Sequence, residues 1–218
     1  SKAANNALKE STAPYIVLLN PDTHVTHGFF ERVLRYMEEN PDVGIIGPKI
    51  LNRDGSVQGS ARSFPTLLTA IFGRNSLLTG WFPNSRLARQ SIPTNISDGV
   101  APMAVDWISG ACMVVRKKAI DDVGFMDQRF FMYWEDVDWC KRMWHSGWKV
   151  VYFPQASIVH YVGGSSDKLV LRSVFEFHKS CYRFFDKYTK FPLSVVSPLV
   201  FWGIALRFFF VLFFHKMR

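Results

Sequence analysis

Tyr15-Ile16-Val17-Leu18-Leu19-Asn20-Pro21-Asp22-Thr23 is the stretch on which the fold turns. Its first five residues are a continuous apolar run of strand length, without the alternation of a half-exposed strand. Runs of this kind belong to strands buried on both faces, in sheets flanked by helices. Asn20-Pro21-Asp22 then stops the run with turn-forming residues. Upstream, residues 2–11 read as a helix that breaks at Thr12-Ala13-Pro14. Downstream, Phe29, Phe30, Val33, Leu34 and Met37 recur at helical spacing across residues 28–40 and predict one buried face. Residues 43–50 give a second short strand. This helix–strand–helix–strand order predicts an α/β layer fold with a mainly parallel sheet.

The middle of the chain reads differently. Residues 52–104 are rich in Gly, Pro, Ser and Asn, with little periodicity beyond residues 67–72. Long irregular segments in compact domains are commonly binding loops or lids. Residues 105–116 predict an apolar strand around Ser109-Gly110-Ala111, and residues 117–123 a short helix with Gly124 as its cap. Residues 136–146 predict a helix whose acids open it and whose Lys141, Arg142 and His145 follow, matching the helix dipole. Residues 149–153 and 156–161 read as two strands, and residues 170–188 as a helix with several basic side chains.

Residues 191–214 carry a single charge, Arg207. Their length approaches the ~20 residues that span a bilayer. Pro198, Gly203 and Arg207 interrupt a simple span. A helix lying in the interface, with Lys216 and Arg218 at the headgroups, is an equal reading, and a buried core helix is the third. Phe208-Phe209-Phe210 and Phe213-Phe214 would leave a large apolar patch on a soluble protein, which favours membrane contact.

A chain of 218 residues suggests one domain, or one domain and an appendage. The net charge of +8 favours anionic partners: nucleic acid, anionic lipid or phosphorylated substrates. No Lys/Arg run and no nucleic-acid-binding signature accompany it, so we expect no nucleic-acid partner. Cys112, Cys140 and Cys181 form no CxxC pair and predict buried thiols in a reducing compartment. The first ten residues read as the middle of a structure, and the sequence predicts a natural N-terminus further upstream.

The chemistry concentrates in Phe130-Phe131-Met132-Tyr133-Trp134-Glu135-Asp136-Val137-Asp138-Trp139-Cys140-Lys141-Arg142. Carboxylates enter aromatic company when they are paired, bound to metal or used. Asp136, between Trp134 and Trp139, is the candidate base. Asp138 fits helix stabilisation with Arg142 as its i+4 partner. Asp22 sits past the end of a buried strand, where open α/β sheets bind ligands. It could hold a divalent cation bridging two phosphates, or simply complete a turn. His160, at a strand end before Gly163-Gly164, is either structural or a metal ligand.

Read in order, Leu18-Leu19-Asn20-Pro21-Asp22-Thr23, Trp107-Ile108-Ser109-Gly110-Ala111, Gly124-Phe125-Met126-Asp127, Phe131 to Arg142, Gly147-Trp148, Pro154 and His160 resemble the family 2 glycosyltransferases of GT-A fold. The bacterial rhamnosyltransferase-like and galactofuranosyltransferase-like subgroup is most similar. The resemblance covers residues 1–166; any one motif is weak, and the ordered set is specific. It implies a Rossmann-like mixed sheet flanked by helices, incomplete at its N-terminus, then a basic helical extension (167–190) and an apolar, membrane-associated helix (191–218).

The resemblance further implies a metal-dependent, inverting transfer from a nucleotide-diphosphate sugar to an envelope-glycan or lipid-linked acceptor. That chemistry would work at the cytoplasmic face of the inner membrane, with the protein peripheral or spanning once. Asp22 matches the last acid of the metal motif, whose first position is Asn20 here. His160 matches a further ligand for Mg or Mn, and Asp136 the base that deprotonates the acceptor. Glu135 matches an acceptor-orienting acid. Trp107, Gly110, Ala111 and Trp134 match the sugar- and acceptor-facing wall. Arg62 would reach a phosphate, and Asn5 is the remaining nucleotide-side residue. The first ~70 to 100 residues of the usual domain have no counterpart, a length within that of single domains, so this chain alone is expected to bind nucleotide poorly. A non-catalytic, membrane-anchored glycan- or nucleotide-binding module is the alternative.

Overall fold

The computed structural model describes residues 1–65, 94, 97–161, 170–189 and 197–216. The periodicity at residues 67–72 and the Gly163-Gly164 loop lie outside these. The described elements are α1 (Lys2–Glu10), β1 (Tyr15–Leu19), β2 (Thr23–Val25), α2 (Phe29–Glu39), β3 (Val43–Leu51), β4 (Ala61–Arg62), β5 (Met103–Ala104), β6 (Trp107–Ile108), β7 (Cys112–Arg116), α3 (Lys117–Val123), α4 (Glu135–His145), β8 (Lys149–His160), α5 (Val170–Tyr188) and α6 (Ser197–Lys216).

The architecture is α/β with a mixed sheet flanked by helices, ordered β1-β7-β3-β8-β2, with β5 also on β8. The expectation of a mainly parallel sheet needs correcting. Among the described pairs only β3–β8 is parallel, and β7 runs antiparallel between β1 and β3. The sheet still buries both faces. Ile45, Met113, Val115 and Tyr152 point into a core with Leu8 of α1, Ile120 of α3 and Trp139 and Met143 of α4. Their neighbours Ile46, Val114 and Phe153 point the other way, onto Phe29, Val33 and Met37 of α2. This is the period-two alternation of a strand read on both sides. β1 feeds both cores from the edge of the described sheet, and its end, Leu19, is 41% exposed. Phe30, predicted on the buried face of α2, is exposed.

Two further expectations change. Residues 105–116 are not one strand: Ser109-Gly110-Ala111 separates β6 from β7, and β6 leaves the main sheet to pair with β4. Residues 149–161 are not two strands but one. Its register against β3 shifts between Pro48 and Lys49, opposite Phe153 and Ser157, and Pro154 falls in that irregularity. A proline has no N–H for the ladder and is tolerated at such bulges.

Gly47 shows how tightly β3 meets β6. A Cβ there would lie 2.5 Å from Ile108 Cδ1 and 2.9 Å from its Cβ. Gly47→Ala should therefore lose about 1–3 kcal/mol to overpacking, read as a lower urea midpoint. Cys112, Cys140 and Cys181 are free and buried, as expected.

Candidate active site

The strand directions bring the C-terminal ends of β1, β3 and β8 and the N-terminal end of β7 to one edge of the sheet. Asn20 leaves β1 there, and its N–H donates to Ala111 O at 3.0 Å. Thr23 Oγ1 donates to Asn20 O at 2.6 Å, closing the turn that presents Asp22. β2 then pairs Thr23 with His160 at the end of β8. Asp22 Oδ1 and His160 Nε2 consequently face each other at 3.3 Å, on side chains that are 26% and 15% exposed.

This contact is chemically specific. Gln58 donates its amide to Asn52 Oδ1 at 2.7 Å and to His160 O at 3.2 Å, which turns its Oε1 toward His160 Nδ1, also 3.2 Å away. With Nδ1–H donating to Gln58, Nε2 presents a lone pair. Asp22 Oδ1 is shielded and has no hydrogen-bond partner. Two acceptors then face one point, an arrangement that suits a cation between them. Among the described residues no cluster of three or more His, Cys, Asp or Glu forms a complete metal site. The pair therefore fits a cation whose remaining ligands come from elsewhere, such as phosphate oxygens and water.

The second group lies on the β6–β7 turn and the start of α4. Gly110 N–H donates to Asp136 Oδ2 at 3.0 Å, and Val137 N–H to Asp136 Oδ1 at 2.9 Å. Each oxygen keeps an acceptor site. Burial pushes the Asp136 carboxyl up, opposed by these two amides and by the Arg62 charge. Glu135 is pushed up to about 7, first by burial and then by the neighbouring Asp136 carboxylate. Its Oε2 is buried without a hydrogen-bond partner. The Asp136 charge thus makes Glu135 harder to ionise.

The backbone that aims them is strained. Tyr133 and Trp134 both take left-handed conformations, at φ 64° and 70°. Each costs on the order of 1–3 kcal/mol for a non-glycine residue. α5 holds them in place: the Phe177 ring lies 5.7 Å from Tyr133 and 5.8 Å from Trp134, and Ser180 Oγ donates to Met132 O at 3.0 Å. Phe184 and Phe185 complete the aromatic setting of Trp134.

Arg62 stacks its guanidinium over Trp107 at 5.4 Å, and Trp107 Nε1 donates to Ser63 O. Gly110 and the Arg62 charge thus lie beside Asp136, and Trp107 and Trp134 both pack against the cluster of Phe130, Val137 and Phe184. Asn5 is not with them. Its amide donates to Met126 O and accepts from Met126 N–H, so both ends are spent tying α1 to the loop after α3. Asp138 does pair with Arg142, at 2.9 Å, but α5 adds Lys187 Nζ at 2.6 Å and Tyr188 Oη at 2.7 Å. Gln58, Phe177, Lys187 and Tyr188 carry no motif that sequence reading could have used.

A sequence model described as Glycosyl transferase family group 2 matches residues 15–213. The chain belongs to that family. A relative from Mycobacterium tuberculosis, named N-acetylglucosaminyl-diphospho-decaprenol L-rhamnosyltransferase, is 33% identical over 170 residues, covering 78% of this chain and 54% of the relative. Rhamnosyltransferase WbbL of Escherichia coli K12 is 30% identical over 174 residues, covering 78% of this chain and 61% of its own length. This family-2 chain thus spans little more than half the length of these curated relatives. A crystal structure of GalNAc-T7 with UDP, GalNAc and Mn2+ overlays with a TM-score of 0.49 and 11% identity, covering 73% of this chain and 30% of that one. A likeness of that extent carries no residue assignment.

Proposed function

We propose that this chain carries the metal and acceptor sides of an inverting glycosyltransferase site. It takes a sugar, rhamnose by analogy with its named relatives, from a nucleotide-diphosphate donor to an envelope-glycan or lipid-linked acceptor. The observation that carries this reading is Asp136, a half-buried carboxyl fixed by Gly110 N–H at 3.0 Å with an acceptor site left on each oxygen. Asp136 takes the proton of the acceptor hydroxyl. The freed oxygen attacks the anomeric carbon from the face opposite the diphosphate, which departs with the bonding electrons. Glu135 orients the acceptor, and Trp134 and Trp107 wall the sugar. Arg62 and the Asn20 turn face the phosphates. Asn5 belongs to the scaffold.

Asp22 and His160 would hold a divalent cation, Mg or Mn, which when bound stabilises the departing diphosphate. Gln58 supports that role by fixing the His160 ring. A partner that fixes the ring of a metal-binding histidine is worth about 10–100-fold in metal affinity. Gln58→Ala should therefore weaken Mn2+ binding by that order, measured by electron paramagnetic resonance titration. Unchanged affinity would remove Gln58 from the site.

The C-terminal helix supports membrane association. α6 is apolar apart from Ser197, Arg207 and its last two residues, His215 and Lys216, and its outward residues Trp202, Leu206 and Phe209 are 64%, 69% and 66% exposed. Among the described residues no helix is long and apolar enough to cross a membrane. We place α6 in the interface of an anionic cytoplasmic leaflet, which the basic chain favours.

Mass spectrometry of products, from a panel of nucleotide sugars offered to the protein at its relatives' length, tests the function. One sugar mass added to a diphospholipid acceptor, lost on chelation, is the expected result. Absence of product from every donor would leave only a binding module.

A further inference from the structure

Lys141 of α4 turns its ammonium to aromatic faces rather than to a carboxylate. Nζ lies 4.3 Å from the ring centre of Tyr188, and 5.3 Å from those of Phe64 and Phe184. Among the described residues it makes no ion pair. Burial pushes its pKa below the ordinary lysine range, opposed by the charges of Asp106 and Asp138. A cation partly out of water is drawn to ring faces more strongly than an exposed one. The attraction holds the rings as much as it holds the lysine.

Two of the three rings are fixed by other means. Phe184 is 1% exposed within its aromatic cluster, and Tyr188 Oη donates to Asp138 at 2.7 Å. Phe64 differs, because it lies two residues past β4, on the segment that carries Arg62. Its N–H donates to Asp106 Oδ2 at 2.6 Å. The carbonyl just before it, Ser63 O, accepts from Trp107 Nε1 at 2.9 Å. Arg62 stacks on that same Trp107 ring at 5.4 Å, and its charge bears on Asp136. Phe64 is thus the place where α4 grips the Arg62–Trp107 wall.

α4 also carries the proposed base. Asp136 lies in its first turn and Lys141 five residues on, along one helix. Asp136 fixes the β6–β7 turn through Gly110 N–H, and Lys141 fixes the end of β4 through Phe64. Two anchors on one rigid element hold the two sides of a site in register more precisely than loops do.

We propose that Lys141 is a positioning residue: by holding Phe64 it sets the Arg62–Trp107 wall against Asp136, and so the grip of the site on its sugar donor. This rests on the transferase reading for what the wall grips. The placement of the wall itself can be read without transfer.

Fluorine NMR of protein labelled with 5-fluorotryptophan, at its relatives' length, reads that placement. Loss of a signal in Trp107→Phe assigns Trp107, and Trp202, exposed on α6, serves as the reference. Lys141→Met keeps most of the side-chain stem and removes the charge. It should shift or broaden the Trp107 resonance and leave that of Trp202 in place. Donor KM should rise about tenfold with kcat within about twofold, because grip lost equally from ground and transition states raises KM alone. Lys141→Arg should restore both, since a guanidinium also stacks on rings. Phe64→Leu, which removes the ring and keeps the lysine, should reproduce the Lys141→Met result and replaces it if that variant does not fold. An unmoved Trp107 resonance in a folded variant overturns the proposal. So does a lower urea midpoint with unchanged KM, a failure of Lys141→Arg to restore KM, or loss of folding in both variants, each of which leaves Lys141 a purely structural role. A moved resonance in a protein that transfers no sugar from any donor would sink the transferase reading alone. Transfer with the resonance unmoved would sink the role of Lys141 alone.

Discussion

Asp138→Ala should unfold at a far lower urea concentration, with about 3–5 kcal/mol lost and the slope of the transition unchanged. Asp138 is fully buried and receives three donors, Arg142 Nε, Lys187 Nζ and Tyr188 Oη, at 2.9, 2.6 and 2.7 Å. Arg142 in turn donates to Val123 O and Phe125 O at the end of α3, and Lys187 also bonds Asp127. One carboxylate thus joins α3, α4 and α5. Removing it takes from a guanidinium and an ammonium the one fully buried anion they share, leaving Arg142 its two carbonyls and Lys187 its bond to Asp127, and leaves Tyr188 Oη without its acceptor. The double variant Asp138→Ala with Lys187→Met should recover part of the loss, because one of the two cations is gone. A midpoint shift under 1 kcal/mol would show that α5 does not depend on this hub.

Asp136→Asn should leave the fold intact and reduce sugar transfer by about 10²–10⁴-fold, the range for a positioned general base. The amide oxygen still accepts from Gly110 N–H, so the β6–β7 turn keeps its anchor. What disappears is the ability to take a proton. The neighbour behaves differently. Glu135 has its carboxyl raised from 4.5 to about 7 by burial and by Asp136. The folded state therefore binds its proton more tightly than the unfolded chain. Stability falls as pH rises from about 4.5 through 7, because the unfolded chain ionises first. Glu135→Gln should accordingly be more stable than the parent at pH 8 and no more stable at pH 4, read from urea midpoints at both values. Equal shifts at the two values would contradict the raised carboxyl.

Much of the scaffold was legible because it is local. The helix at residues 29–39, the cap at Gly124, the acid-first helix of residues 135–145 and the half-apolar α5 follow from periodicity and termini. The Asp138–Arg142 pair lies within one helical turn and was readable for the same reason. The partners that matter most to Asp138 were not, since Lys187 and Tyr188 lie 49 and 50 residues away in sequence. The break at Ser109–Ala111 was hidden because small residues fit a strand and a turn alike. Only the distant Asp136 carboxylate shows why Gly110 N–H must leave the ladder. The left-handed pair Tyr133–Trp134 has no glycine or asparagine to announce it. It exists because Phe177 and Ser180 of α5 overrule local preference. Asn5, which the resemblance places on the nucleotide side, has an amide that closes on Met126, a long-range bond that sequence does not announce.

The anomeric configuration of the sugar in the product, read by the one-bond C1–H1 NMR coupling against that of the donor, tests the role of Asp136 most directly. A base that deprotonates the acceptor for a single displacement gives inversion. Retention would require two displacements and a nucleophile on the sugar, and would contradict that role.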